Sequence, residues 1–127
     1  AAQGEAPVHL AFFGHYDVLP AGDSLVSDLF IPREKEGNLY GRGAADMKSG
    51  LAAQLLAGKI LAEKGLRVSL FISGDARTTD VGMPQLLATN RFPIDYALGG
   101  EPTSQEKSGD TIIVGRRGVI QGDITLI

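Results

Sequence analysis

The sequence predicts an α/β fold, a layered sheet whose strands are joined by crossover helices. Short apolar runs alternate with stretches of helical spacing in the order strand–helix–strand–helix–strand. Glycine punctuates the junctions: seventeen of 127 residues are glycine, against a usual ~7%. The chemically capable side chains gather at strand ends and loop edges, where such a sheet places its site.

Residues 1–7 are small and polar and read as a frayed start. Residues 8–13 (VHLAFF) are mostly apolar and stop at Gly14, as expected of a strand covered on both faces. Between His15 and Tyr40 no periodicity is sustained, and Pro20, Gly22, Pro32 and Gly37-Asn38 mark a long loop with a short hairpin in residues 31–40. A loop of that length is more often functional than idle. Residues 47–64 form the convincing helix, with Met47, Leu51, Leu55, Leu56 and Ile60 at helical spacing. Asp46 stands where an N-cap carboxylate would, and Gly65 stops the helix. Residues 67–72 read as the second strand. A short helix follows from Asp80 or Val81 to Thr89, with Pro84 in its first turn. Residues 96–98 read as a third strand, ended by Gly99-Gly100, and residues 111–114 and 119–127 as two more.

A chain of this length buries about two-thirds of its unfolded surface, and 43% hydrophobic residues supply one core. Its apolar runs, such as residues 70–72 and 112–114, fall far short of the ~18–20 residues of a membrane span. Residues 1–9 have no basic start and no apolar run of signal length, so no membrane partner and a cytoplasmic location are expected. A net charge of -3 leaves no electrostatic footprint for nucleic acid. The absence of cysteine excludes disulfides, thiolate ligands and a cysteine nucleophile. Ser73 lacks an obvious base partner and no nucleophile elbow is present, which argues against a serine hydrolase.

Four features carry chemistry. Gly14-His15-Tyr16-Asp17 follows the first strand, and a carboxylate two residues beyond a histidine can fix the tautomer of a metal-binding imidazole; a loop histidine with a turn aspartate is the plainer reading. Gly41-Arg42-Gly43 precedes the helix, but the full dinucleotide and P-loop patterns are absent, and Asp46 alone reads first as a helix cap. Pro102 extends the residue before it and can aim Glu101 into a cleft, or leave it an exposed turn glutamate. Ser73-Gly74-Asp75-Ala76-Arg77, after the second strand, supplies one carboxylate and then a methyl and a cation. His9 reads as a core or edge histidine, and Arg116-Arg117 as a solvated turn.

Taken together, GHYDVLPAGD (14–23), LYGRGAADMKSGLAA (39–53), GEPTS (100–104) and GRRGVIQGDITL (115–126) occur in one order along nearly the whole chain. In this the sequence resembles the di-zinc amidohydrolase and exopeptidase family that includes succinyl-diaminopimelate desuccinylase, acetylornithine deacetylase, aminoacylase and glutamate carboxypeptidases, and is nearest the desuccinylase branch. The resemblance implies that His15 is a zinc ligand with Asp17 orienting it, that Asp46 is the bridging aspartate followed by a cis peptide bond, and that Glu101 completes the first zinc site. Two close zinc ions polarise an amide carbonyl and acidify a shared water, whose proton a glutamate takes.

The sequence departs from that pattern at one motif. The family reads Asp-Glu-Glu where this chain has Asp75-Ala76-Arg77, so the general base is an alanine and a second-zinc ligand is an arginine. A like charge at ~4 Å costs on the order of 1–4 kcal/mol even when well screened, and no glutamate between Glu63 and Glu101 can rescue the motif by slippage. The second site also lacks its histidine. One zinc on His15, Asp46 and Glu101 is therefore expected, and a second is not.

Length sharpens the expectation. Residues 1–114 resemble part of a catalytic core, the central part of the zinc-exopeptidase fold with its lid domain absent, and residues 115–127 resemble the strand crossing into that lid. An incomplete sheet leaves an edge open, which predicts a homodimer or swapped assembly. The leading reading is a truncated amidohydrolase or metallopeptidase core, impaired in turnover, that binds one zinc and a small N-acyl amino acid or peptide. The alternatives are a non-enzymatic dimeric binding or scaffold module, and an active mononuclear zinc hydrolase with Asp75 as base.

Overall fold

Parallel pairing around one central strand organises the chain. The computed structural model describes residues 8–20, 28–89, 93–115 and 118. Strand β1 (His9–His15) is flanked by β4 (Arg67–Ser73) on one side and β5 (Tyr96–Gly99) on the other, and both pairings are parallel. The register runs from His9 opposite Arg67 to His15 opposite Ser73, and from Leu10 opposite Tyr96 to Phe13 opposite Gly99. The expected hairpin is present as β2 (Arg33–Lys35) and β3 (Asn38–Tyr40), antiparallel and fully exposed. Its two-residue turn has positive φ at both Glu36 and Gly37, the backbone twist that matches a right-twisted hairpin.

Crossover helices link the parallel strands, as the fold class requires. Helix α1 (Ser49–Glu63) joins β1 to β4 and packs on both, while α2 (Gly82–Thr89) lies on β4 and carries the chain across to β5. Because β4 and β5 sit on opposite sides of β1, strand order reverses at β1. In an open α/β sheet the crevice beyond the strand C-termini at such a reversal is where ligands bind. His15 is the last residue of β1, Ser73 of β4 and Gly99 of β5, so the candidate residues all emerge at that end.

Packing explains why α1 departs from the apolar spacing. The residues of α1 that face the sheet are Leu51, Gln54, Gly58 and Leu61, whereas Leu55 (56%), Leu56 (61%) and Ile60 are exposed. Gly58 lies over Val68 and Phe12, and a Cβ there would meet them at 3.5 and 3.7 Å, ordinary contact. Gly50 does not have that room: a Cβ would collide with the Gly100 carbonyl. Gly65, at φ 85, ends the helix as expected. Among the described residues the buried apolar core is small, consisting of Ala11, Phe12, Met47 and Leu51, and Phe13 stacks on Phe71 across the β1–β4 register with centroids 5.1 Å apart.

Two expectations change. Asp46 does not cap a helix: it lies in a turn, Ala44–Lys48, where it and Met47 leave helical φ/ψ, and α1 starts after it with no side-chain cap. Residues 111–114 form no strand. Ile112 and Val114 stand exposed, with no neighbouring strand among the described residues to accept their backbone hydrogen bonds. His9 is buried as expected, and its Nδ1 and Nε2 are spent on the Pro93 carbonyl (2.7 Å) and the Ser69 hydroxyl (2.8 Å). The expected frayed start, the strand at 119–127 and the Arg116-Arg117 turn lie outside the described residues.

Candidate metal centre

The centre begins with how the fold treats the two nitrogens of His15. The ring is 3% exposed at the end of β1, and its Nδ1 lies 2.9 Å from the backbone carbonyl of Asp17. A proton on Nδ1 satisfies that carbonyl and leaves the Nε2 lone pair facing outward. Nε2 is buried, makes no hydrogen bond, and lies 3.2 Å from Asp46 Oδ1 and 3.4 Å from Glu101 Oε1. A cation there, either a metal ion or a proton on Nε2, would relieve the repulsion between that lone pair and the two carboxylate oxygens.

Each carboxylate is delivered by a different element. Asp46 comes from the turn before α1, and the peptide bond from Asp46 to Met47 is cis, as the resemblance implied. Met47 is buried below, its Sδ accepting the His15 backbone N–H at 3.4 Å. Glu101 follows β5 two residues after Gly99, and Gly100 donates its N–H to the Phe13 carbonyl. Gln54, buried on α1, donates from Nε2 to the Phe13 (3.1 Å) and Leu98 (3.2 Å) carbonyls, tying the helix to the ends of β1 and β5.

Asp17 is positioned differently from the expectation. Its backbone carbonyl, rather than its carboxylate, takes the close contact with His15, and the carboxylate stands 3.4 Å from Nδ1. The carboxylate accepts the backbone N–H groups of Ala76 (3.2 Å) and Arg77 (2.7 Å), so it couples the end of β1 to the turn after β4.

That turn carries Arg77 into the centre. Its Nη2 donates to Asp46 at 2.5 Å (Oδ2) and 2.7 Å (Oδ1), and lies 3.7 Å from Glu101 Oε2. The Arg77 hydrogen bond and charge hold the Asp46 carboxyl below its ordinary range. The same hydrogen bond pushes the arginine further above its ordinary value. Both side chains also line a cleft of about 320 Å³ with Arg42, Val18 and Leu19.

Asp75 is engaged elsewhere. Its Oδ2 accepts from the Thr79 hydroxyl (2.8 Å) and the Val81 and Gly82 backbone N–H groups (2.9 Å each), which makes it the cap of α2. Those donors, the Thr79 hydroxyl first, hold its carboxyl below the ordinary value.

The structure therefore gathers His15, Asp46 and Glu101, whose ligand atoms all lie within 4.8 Å of one another, and no second cluster of this kind occurs among the described residues. A neutral imidazole with two carboxylates is a donor set that suits one zinc ion. Sequence reasoning missed Gln54, whereas Met47, placed on the apolar side of the helix, is buried. A polar residue three positions after Leu51 on the sheet-facing side of α1 is the signal that could have found Gln54.

Fold and centre together define the catalytic-core fold of a zinc amidohydrolase or metallopeptidase. The family model for peptidase family M20/M25/M40 matches residues 11–119, and the chain belongs to that family. Among curated relatives it is similar to succinyl-diaminopimelate desuccinylases from Parvibaculum lavamentivorans (42% identical, 99% of this chain, 34% of the relative) and Zymomonas mobilis (45%, 94% and 33%). A third, from Nautilia profundicola, is 47% identical over 90% of this chain and 32% of its own length. The chain thus spans about a third of the length of the curated relatives it matches.

Proposed function

We propose that this chain holds one zinc ion on His15, Asp46 and Glu101, and that it is part of the catalytic core of a hydrolase for N-acyl amino acids or C-terminal peptide amides, with proton transfer impaired. The observation that carries this reading is the buried, unpaired Nε2 of His15 facing two carboxylates. The names of the desuccinylase relatives favour an N-succinyl amino acid as the substrate of the whole protein. When bound, zinc would supply a Lewis acid that polarises an amide carbonyl and acidifies a water.

This chain's own residues account for the rest. The Asp17 carbonyl keeps the proton on Nδ1 of His15 and so keeps Nε2 a ligand. Ala76 has no group that can move a proton. Asp75 is a poor replacement base, because three donors hold its Oδ2 and lower its basicity. An active mononuclear enzyme working through Asp75 would have to use Oδ1, which makes no hydrogen bond, on a carboxylate whose basicity the donors to Oδ2 lower.

Among the described residues no helix is long and apolar enough to cross a membrane, and a cytoplasmic location is part of this reading. So is a homodimer or swapped assembly: among the described residues β4 and β5 are both outer strands, and Tyr96 and Leu98 on β5 and Ile112 are exposed.

Metal analysis of chelator-stripped, reloaded protein tests the proposal. One zinc per chain should remain at micromolar protein, and His15→Ala should remove it. Wild-type chain that retains none sinks the reading.

A further inference from the structure

Arg77 and His15 address the same two carboxylates. Asp46 Oδ1 and Glu101 Oε1 lie 3.2 and 3.4 Å from His15 Nε2, while Asp46 Oδ2 and Glu101 Oε2 lie 2.5 and 3.7 Å from Arg77 Nη2. Asp46 Oδ1 and Glu101 Oε1 thus face the imidazole, while the guanidinium donates to both Asp46 oxygens and faces Glu101 Oε2. Arg77 does not reach this position by chance rotation of a free side chain. Asp17, whose carbonyl fixes the His15 ring, also binds the Arg77 backbone N–H, so one residue sets both the metal-facing nitrogen and the opposing cation.

We propose that Arg77 is the resident cation of this carboxylate pair: it balances Asp46 and Glu101 in the metal-free chain and keeps the centre to a single, readily exchanged divalent ion. This rests on the reading that His15, Asp46 and Glu101 hold a metal. With neutral His15, the two carboxylates alone would present a charge of about −2 to an incoming ion, and the guanidinium reduces this to about −1. Arginine cannot shed its proton to relieve the conflict. An incoming divalent ion therefore meets a standing positive charge and an Asp46 whose oxygens are already accepting hydrogen bonds. In exchange, the carboxylates have a partner when no metal is bound, and need none to stay folded in place.

The test is a zinc titration of the chelator-stripped 127-residue chain against a chromophoric chelator, with thermal melting of the metal-free protein in parallel. Arg77→Met and Arg77→Gln, which remove the charge, should each bind zinc at least tenfold more tightly than wild type. Their metal-free melting temperature should fall, and zinc should restore it. Arg77→Lys, which keeps the charge, should stay near wild type, and if Arg77→Met does not fold, the comparison of Arg77→Gln with Arg77→Lys decides. Zinc affinity in the uncharged variants that is weaker than wild type, or within threefold of it, overturns the proposal and leaves the metal reading standing. No zinc bound by any of the proteins overturns both.

Discussion

His15 and Asp75 show how much the surroundings of one residue decide. His15 ends β1 and Asp75 follows the end of β4 by two residues, yet the fold turns one towards two carboxylates and uses the other as a helix cap. If Asp75 is structural, Asp75→Ala should lower the melting temperature and leave zinc binding at one per chain. Its contribution should also follow pH. A carboxyl lowered in the folded state stabilises above the unfolded value, near 3.8, and that stabilisation is lost as pH falls through the folded value. Thermal melts from neutral to about pH 3 should therefore show wild type losing more stability than Asp75→Ala. An equal loss in both proteins contradicts the assignment.

Residue by residue, the centre was legible to the extent that it rests on motifs. His15, Asp46 and Glu101 each sit in a segment whose wording is distinctive, and the structure brings all three together. The Arg77–Asp46 pair was not legible as a contact, because it depends on how the turn after β4 folds over the head of α1. Asp46 taken alone is ambiguous, because the pattern Asp before an apolar run fits both a cap and a ligand, and its surrounding motif is what marks it as a ligand.

At the scale of elements, α1 carries the centre through two glycines with opposite tolerances. Gly50 permits the first turn of the helix to touch the Gly100 backbone, and so brings Asp46 beside Glu101. Gly50→Ala should destabilise by roughly 1–3 kcal/mol through overpacking, and should weaken zinc binding. Gly58 has ordinary contact distances around its virtual Cβ, and Gly58→Ala should stabilise by about 0.5–1 kcal/mol through helix propensity. Urea unfolding of both variants checks the pair, and a stable Gly50→Ala protein with unchanged zinc affinity would show that the close approach is unimportant. The strands and helices were legible because their lengths and glycine stops are local signals, and the observed ends shift by one or two residues. The buried face of α1 was less so. Leu55, Leu56 and Ile60 obey helical spacing yet point away from the sheet, since Gln54 and Gly58 occupy the positions above β1.

At the scale of the whole molecule, those exposed leucines and the edge strands describe a surface that wants covering. Val114 is 97% exposed and the buried core holds four apolar residues among those described, in a chain that spans about a third of its relatives. The strand expected at 111–114 shows the same physics, because a strand is defined by its neighbour and composition alone cannot supply one. The metal centre, by contrast, is built from the ends of β1 and β5 and the head of α1, all within the described residues. It should therefore form in this chain without further elements. Anomalous X-ray scattering at the zinc edge, on crystals grown with zinc, tests that most directly. A single peak bonded to His15 Nε2, Asp46 and Glu101 is the predicted result; no peak there, or one that avoids His15, would contradict it.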